Sequence, residues 1–236
     1  MVFWVAVVIL AVFVFHATAL PVIKKNRFID KYGTEVYATI GLVEEGEIIK
    51  FGKYEQDNDL ENGKEDIEWI VLKVEGGKAF LISEYVLDYQ PYHNRKGEVS
   101  WETSSLRAWL NEEFFNEAFS EKEKEIVLPS TPAGYLIQDH VFLWSFQEAP
   151  SPVLKQDELR KCQATAYAKG QGAYTTYMEN VTWWWLIHTT SERVDQGPKQ
   201  AFFIMHTGHE SDSWVTASAG VRPVLWIDLK AVSLTK

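Results

Sequence analysis

The apolar positions change their period along the chain, and the changes mark out its elements. Residues 1–23 run through Val2-Phe3-Trp4-Val5-Ala6-Val7-Val8-Ile9-Leu10 to Val14-Phe15 without a single Lys, Arg, Asp or Glu. As a helix rising about 1.5 Å per residue, such a segment spans a hydrocarbon core of roughly 30 Å. Residues 24–47 are polar and read as a connector. Short extended patterns follow at Ile48-Ile49-Lys50-Phe51, Ile67-Glu68-Trp69-Ile70-Val71-Leu72 and Ala79-Phe80-Leu81-Ile82. Glu75-Gly76-Gly77 between the last two predicts a hairpin, because glycine accepts the positive φ of tight turns. Helical spacing then places Leu106, Trp109 and Leu110 on one face behind the potential caps Thr103 and Ser104, and Phe114, Phe115, Ala118 and Phe119 extend the apolar cluster. Ser120 with Glu123 is a capping-box pattern that opens a further helix through Ile126.

Extended structure returns at Val141-Phe142-Leu143-Trp144, a helix is predicted over 157–168, and strands over Val181 to Ile187, Ala201 to His206 and Val221 to Ile227. Strands, then helices, then strands without βαβ alternation predict an α+β fold with an antiparallel sheet. The expected organisation is a hydrophobic N-terminal helix, one domain over 48–229 whose two ends pair, and a tail at 230–236.

Composition narrows the partners. The chain has 236 residues, 46% hydrophobic and 24% charged, which suits a folded protein with a real core. Its net charge is −10; residues 1–23 contribute nothing and Lys24, Lys25 and Arg27 are basic, so residues 28–236 carry −13. That balance argues against nucleic acid, whose binding depends on clustered cations. The one cysteine, Cys162, excludes an internal disulfide and a multi-thiolate metal site made by this chain alone. In the predicted helix it reads as a small buried hydrophobe. The basic flank after residue 23 suits a single-pass membrane anchor, whereas Ala17-Thr18-Ala19 suits a signal peptide cleaved near Ala19 and a secreted product, although a basic leader is missing. The sequence leaves both open, and with them the side of the membrane.

Five segments carry a resemblance: Phe51-Gly52-Lys53-Tyr54, Ile67 to Leu72, Trp101-Glu102-Thr103-Ser104-Ser105-Leu106-Arg107-Ala108-Trp109-Leu110-Asn111, Ala164-Thr165-Ala166-Tyr167-Ala168 and Gly220-Val221-Arg222-Pro223-Val224-Leu225-Trp226-Ile227. In this order they resemble the bacterial domain of unknown function 6273 family. That family looks like a relative of the C-type-lectin-like fold of formylglycine-generating enzymes and retroelement-diversified binding proteins, whose chains likewise close near a Gly-x-Arg-Pro strand. Where the family commonly reads Trp-Trp-Leu-Arg-Ser, this chain has Trp184-Trp185-Leu186-Ile187-His188, so an arginine is replaced by Ile187. An isoleucine supplies neither charge nor forked donors, so any contact made by that guanidinium is lost or the site is repacked. Formylglycine-type oxidation, as the resemblance implies it, needs a cysteine pair for copper, and Cys162 is single. Calcium-lectin motifs (Glu-Pro-Asn, Gln-Pro-Asp, Trp-Asn-Asp) do not occur.

Candidate chemistry is sparse. His206-Thr207-Gly208-His209-Glu210-Ser211-Asp212-Ser213-Trp214 is a polar loop between strand candidates, with His188 on the preceding strand. His206, His209 and Glu210 have the donor types for zinc or manganese, but the spacing is not His-Glu-x-x-His and Gly208 favours a turn. No serine sits in a nucleophile elbow. Arg222, inside an apolar strand, reads as an anchor paired with a carboxylate or carbonyls. In Trp183-Trp184-Trp185 alternate rings face opposite sides of a sheet, which predicts buried packing with at least one ring toward solvent. The expectation is a non-catalytic, membrane-tethered binding module of a bacterial envelope, with no cofactor and no metal. It would recognise a protein or glycan through His188, His206, His209 and Trp214. The rivals are a metal-dependent hydrolase or oxidase using the His206/His209 loop, and a structural protein whose tryptophans pack on a partner subunit.

Overall fold

The computed structural model describes residues 43–145, 154–190 and 199–229. Its strands are β1 (Ile48–Tyr54), β2 (Glu65–Glu75), β3 (Lys78–Ser83), β4 (Asp88–Pro91), β5 (Val127–Leu128), β6 (Phe142–Leu143), β7 (Cys162–Gln163), β8 (Val181–Thr182), β9 (Trp184–Thr189), β10 (Gln200–Ile204), β11 (Glu210–Trp214), β12 (Ser218–Val221) and β13 (Pro223–Asp228). The helices are short: α1 (Ser105–Trp109) passes through a π turn at Leu110–Phe114 into α2 (Phe115–Ala118), followed by α3 (Glu121–Lys124), α4 (Asp157–Arg160) and α5 (Ala166–Gly170). The expected N-terminal helix lies outside the described residues. Among those described, no helix is long and apolar enough to cross a membrane.

Local sequence explains the first half. In β2, Ile67, Trp69 and Val71 are buried and alternate with more exposed residues up to Ile70, the pattern of a strand covered on one face, until buried Leu72 breaks it at the register shift against β3. Residues 79–83 of β3 are all buried, as befits a strand covered on both faces. The β2–β3 hairpin turns at Gly76 and Gly77 with φ of 58° and 82°. The Ser104 hydroxyl caps α1 by accepting from the Arg107 N–H at 3.1 Å. Ser120 and Glu123 form the expected capping box, but α3 ends at Lys124, because Ile126 turns inward and its carbonyl accepts from Asp228 N at 2.9 Å.

Two sheets are built. The first has the order β1-β2-β3-β13-β5, with β6 sharing the β5 side of β13, and all its pairings are antiparallel. The second has the order β11-β10-β9-β12-β4, antiparallel except where β12 meets β9 in parallel. A two-stranded ribbon, β7–β8, stands apart. The architecture is thus largely antiparallel sheet with a few short helices, in the α+β manner. The ends pair as expected: β13 lies between β3 and β5.

The chain passes between the two sheets four times, and two of these crossings, from β3 to β4 and from β12 to β13, are tied together. Leu87 N donates to Val221 O at 2.9 Å, and Arg222 Nε donates to Ser83 O at 2.9 Å. Arg222 is buried, with its guanidinium 5.0 Å from the Trp184 ring centre. The anchor role holds, with a carbonyl and an indole as its partners. The continuous strand predicted over 221–227 is therefore broken at Arg222, because this residue turns the corner between sheets. The strand predicted over 181–187 is likewise broken at Trp183, between β8 and β9.

The helix predicted over 157–168 is corrected to helix, strand and helix. Lys161 leaves helical geometry at ψ 136°, Cys162 pairs with Thr182, and the Thr165 hydroxyl starts α5 by accepting from Ala168 N at 3.0 Å. Cys162 is buried as expected, but on a strand. Burial pushes its thiol up to about 11.

One hydrophobic cluster runs from Ile49 to Ile227. Its indoles are anchored as well as buried: Trp69 donates to Phe51 O at 2.7 Å, Trp101 to Asp139 Oδ2 at 2.8 Å, Trp184 to Arg160 O at 3.0 Å and Trp185 to Gln90 O at 2.8 Å. A ring whose N–H finds an acceptor gives its full area to the core without stranding a donor.

Candidate ligand-binding surface

The residues expected to act together lie in three different settings. His188, on β9, is half-buried and engaged on both ring nitrogens: Nε2 lies 2.7 Å from Ser145 Oγ and Nδ1 lies 3.3 Å from the Tyr135 hydroxyl, against whose ring it stacks. The neighbouring Ile187, where the resemblance leads one to expect arginine, is fully buried. Its carbonyl accepts from Tyr92 OH at 2.5 Å and Tyr135 OH at 3.3 Å. The Ile187 side chain is part of the core.

The backbone of the histidine loop is fastened down, while the His209 side chain stays 64% exposed. Gly208 is buried at φ +86°, and a Cβ there would lie 1.8 Å from Asp157 O, so the turn rests directly on the backbone of α4. Arg160 Nε donates to Gly208 O at 2.8 Å, and Arg160 is also paired with Asp157. His209 Nδ1 lies 2.9 Å from Asp157 Oδ2. His206 is half-buried on the turn. Among the described residues, the groups that could jointly hold a metal ion do not include His206, His209 or Glu210.

Trp214 is different. It ends β11 opposite Gln200 and is 60% exposed. The backbone around it is held firmly: Val215 N donates to Lys199 O at 2.9 Å, His93 N to Val215 O at 2.8 Å, and Ala217 N to Trp214 O at 2.8 Å. The indole walls a pocket of about 710 Å³ with Lys96, Gly97, Lys199, Val215, Thr216 and Ala217, a volume within the usual range of ligand sites. Among the described residues two lysines and no acidic residue line it, on a chain whose net charge is −10. The wall bearing Lys96 is braced by His93, whose Nδ1 accepts from Ser105 N at 3.2 Å. Burial, with Arg95 nearby, lowers the His93 pKa from the ordinary 6.5, which keeps that nitrogen free to accept.

A second aromatic surface involves the tryptophan run. Trp184 and Trp185 are fully buried, whereas Trp183 is half-buried and stacks on exposed Tyr174 at 6.0 Å between ring centres. Phe203 meets Trp183 edge-on at 6.2 Å, and Trp183 Nε1 donates to Tyr89 OH at 3.3 Å. Sequence spacing anticipated one outward ring; it did not show Tyr174 supplying the partner.

The sheets, the short helices and an exposed tryptophan pocket define an α+β protein of antiparallel sheets. The chain belongs to the family described as domain of unknown function (DUF6273), whose model matches residues 76–229. That range includes Lys96, Lys199 and Trp214. No curated protein and no solved structure matches the chain significantly.

Proposed function

We propose that this protein is a non-catalytic binding module that takes an anionic ligand, such as an acidic glycan or an acidic protein segment, at the Trp214 pocket. The observation that carries this reading is the pairing of an exposed indole with Lys96 and Lys199 in one concavity that no acidic group among the described residues lines. A sugar ring or apolar side chain stacks on the indole, and the ammonium groups meet the negative charge. Of the four residues expected from sequence, Trp214 stays in the proposed contact set. His188 and His209 have internal partners in Ser145, Tyr135 and Asp157, and His206 lies half-buried on the turn, so we leave all three out of the contact set. We read the fold as C-type-lectin-like. Support comes from the Gly220-Val221-Arg222-Pro223 segment, which carries the chain from the second sheet into the centre of the first. We further propose that residues 1–23 hold the module at a bacterial membrane or direct its secretion by cleavage near Ala19. Protease accessibility in intact cells distinguishes the compartments.

The test of the pocket is titration calorimetry of the full chain with a uronic-acid oligosaccharide, its neutral counterpart and an acidic peptide. Binding of one acidic probe that weakens with salt and is lost in Trp214→Ala supports the reading. Equal binding of the neutral sugar, unchanged binding in Trp214→Ala, or no binding of either acidic probe overturns it.

A further inference from the structure

The loop between β1 and β2 holds a group of carboxylates outside the family-matched range. One oxygen from each of Glu55, Asp57 and Glu65 lies within 4.8 Å of the other two. Exposed acidic clusters are common and carry no meaning alone, but Glu55 is 6% exposed and its Oε1 is buried without a hydrogen-bond partner. The Glu55 carboxyl also meets the Asn58 N–H and the Asp57 side chain, and a buried carboxylate beside two others is costly unless a cation or a proton joins it.

The neighbouring ammonium groups are engaged elsewhere. Lys50 and Lys53 pair with Asp66, Lys50 also with Glu68, and Lys64 with Glu117. Among the described residues none pairs with Glu55, Asp57 or Glu65. The other two carboxylates are held in place from one side: Glu65 Oε2 accepts from Gln56 N at 2.8 Å and Asp57 N at 3.2 Å, and Asp57 accepts from Asp59 N and Asn62 Nδ2, both at 2.8 Å. Asp57 and Glu65 also line a groove of about 620 Å³, which gives an approach from solvent.

We propose that Glu55, Asp57 and Glu65 bind a hard divalent cation, calcium in preference to magnesium. The donor set is all oxygen, which disfavours soft metals. Calcium sits about 2.3–2.6 Å from each ligand and completes its shell with water, so oxygens up to twice that distance apart can share one ion. Magnesium demands near-ideal octahedral geometry at about 2.0–2.1 Å and dehydrates reluctantly, so a set of protein carboxylates suits calcium better. The ion would tie together both ends of the β1–β2 loop. That loop is docked at its middle on α5: Tyr167 N donates to Gln56 O at 2.9 Å, and the Asn58 side chain packs where a Cβ on Gly170 would fall.

The experiment is calorimetry on the full chain, stripped with EDTA and titrated with calcium chloride to about 10 mM, which covers weak oxygen-ligated sites. One equivalent is expected to bind and to raise the melting temperature, since the ion favours the folded state. The Asp57→Asn/Glu65→Gln double variant should lose both effects, while Asp66→Asn, whose carboxylate already pairs with Lys53, should keep them. Absence of both binding and a melting shift in the parent overturns the proposal, and this arm needs no variant to fold. So does unchanged binding in the double variant. A magnesium response equal to that of calcium overturns the stated preference. If Glu55→Gln leaves the melting temperature unchanged or raises it and calcium binds neither protein, a proton occupies the cluster and the proposal fails.

Discussion

The β10–β11 hairpin carries polar and aromatic residues at both ends, yet the two ends have opposite fates. At the turn, Gly208 sits on the backbone of Asp157, Arg160 grips its carbonyl and His209 Nδ1 lies against the Asp157 carboxylate, so the turn serves assembly. At the far end Trp214 stands 60% exposed over a pocket, although the backbone beneath it is as well bonded. The lesson is that donor chemistry does not define a site. What separates the ends is whether a second element holds them: at the turn α4 grips the backbone and Asp157 meets His209 Nδ1, and at the far end the indole walls an open pocket.

The comparison can be broken most severely at Gly208. Gly208→Ala puts a methyl into the Asp157 carbonyl at a φ that L residues avoid, and should cost about 3 kcal/mol or more in urea unfolding. A near-neutral result would mean the turn is not seated on α4. Arg160→Met removes the grip on Gly208 O and the pairing with Asp157, and should cost about 2 kcal/mol by the same measurement. Because Cys162 follows directly on α4, both variants should speed alkylation of its thiol at pH 8. In the parent that thiol, pushed up to about 11, should label far more slowly than in the unfolded chain. Trp214→Ala should change stability by no more than about 0.5 kcal/mol, because the ring is mostly in water, while abolishing ligand heat.

The smallest effect concerns pH. The folded pKa of His93 is depressed, so its contribution is present above the unfolded value of 6.5 and is lost as pH falls below that value through the folded pKa. Acid unfolding monitored from pH 7 to 5 should therefore show a loss that His93→Gln lessens. An identical slope in both proteins would remove His93 as a brace of the pocket wall.

Much of the first half was legible because its signals are local. Two glycines set the β2–β3 hairpin, one serine caps α1, and Ser120 with Glu123 starts α3. The misread elements are those decided by distant partners. Nothing near residue 161 announces that Cys162 will pair with Thr182, and nothing near 222 announces that Ser83 will receive its guanidinium. Among site residues, Trp214 was legible as an aromatic next to a polar loop. Lys96 and Lys199 were not, being more than 100 positions apart in the chain and joined only by the fold. The Glu55, Asp57 and Glu65 group had a readable sign in the dense acidic run Glu55-Gln56-Asp57-Asn58-Asp59. Its distinguishing fact, the burial of Glu55, exists only in three dimensions.

The position of β13 has a consequence for biosynthesis. Residues 223–228 fill the gap between β3 and the β5/β6 pair, so a nascent polypeptide still short of them has its largest sheet split at the middle. During translation the β3 edge, with Phe80 and Ile82, is left bare, and such an edge invites other chains to pair with it. The ribosome therefore releases this protein's most adhesive strand well before its cover, and holdase chaperones should be needed most in that interval.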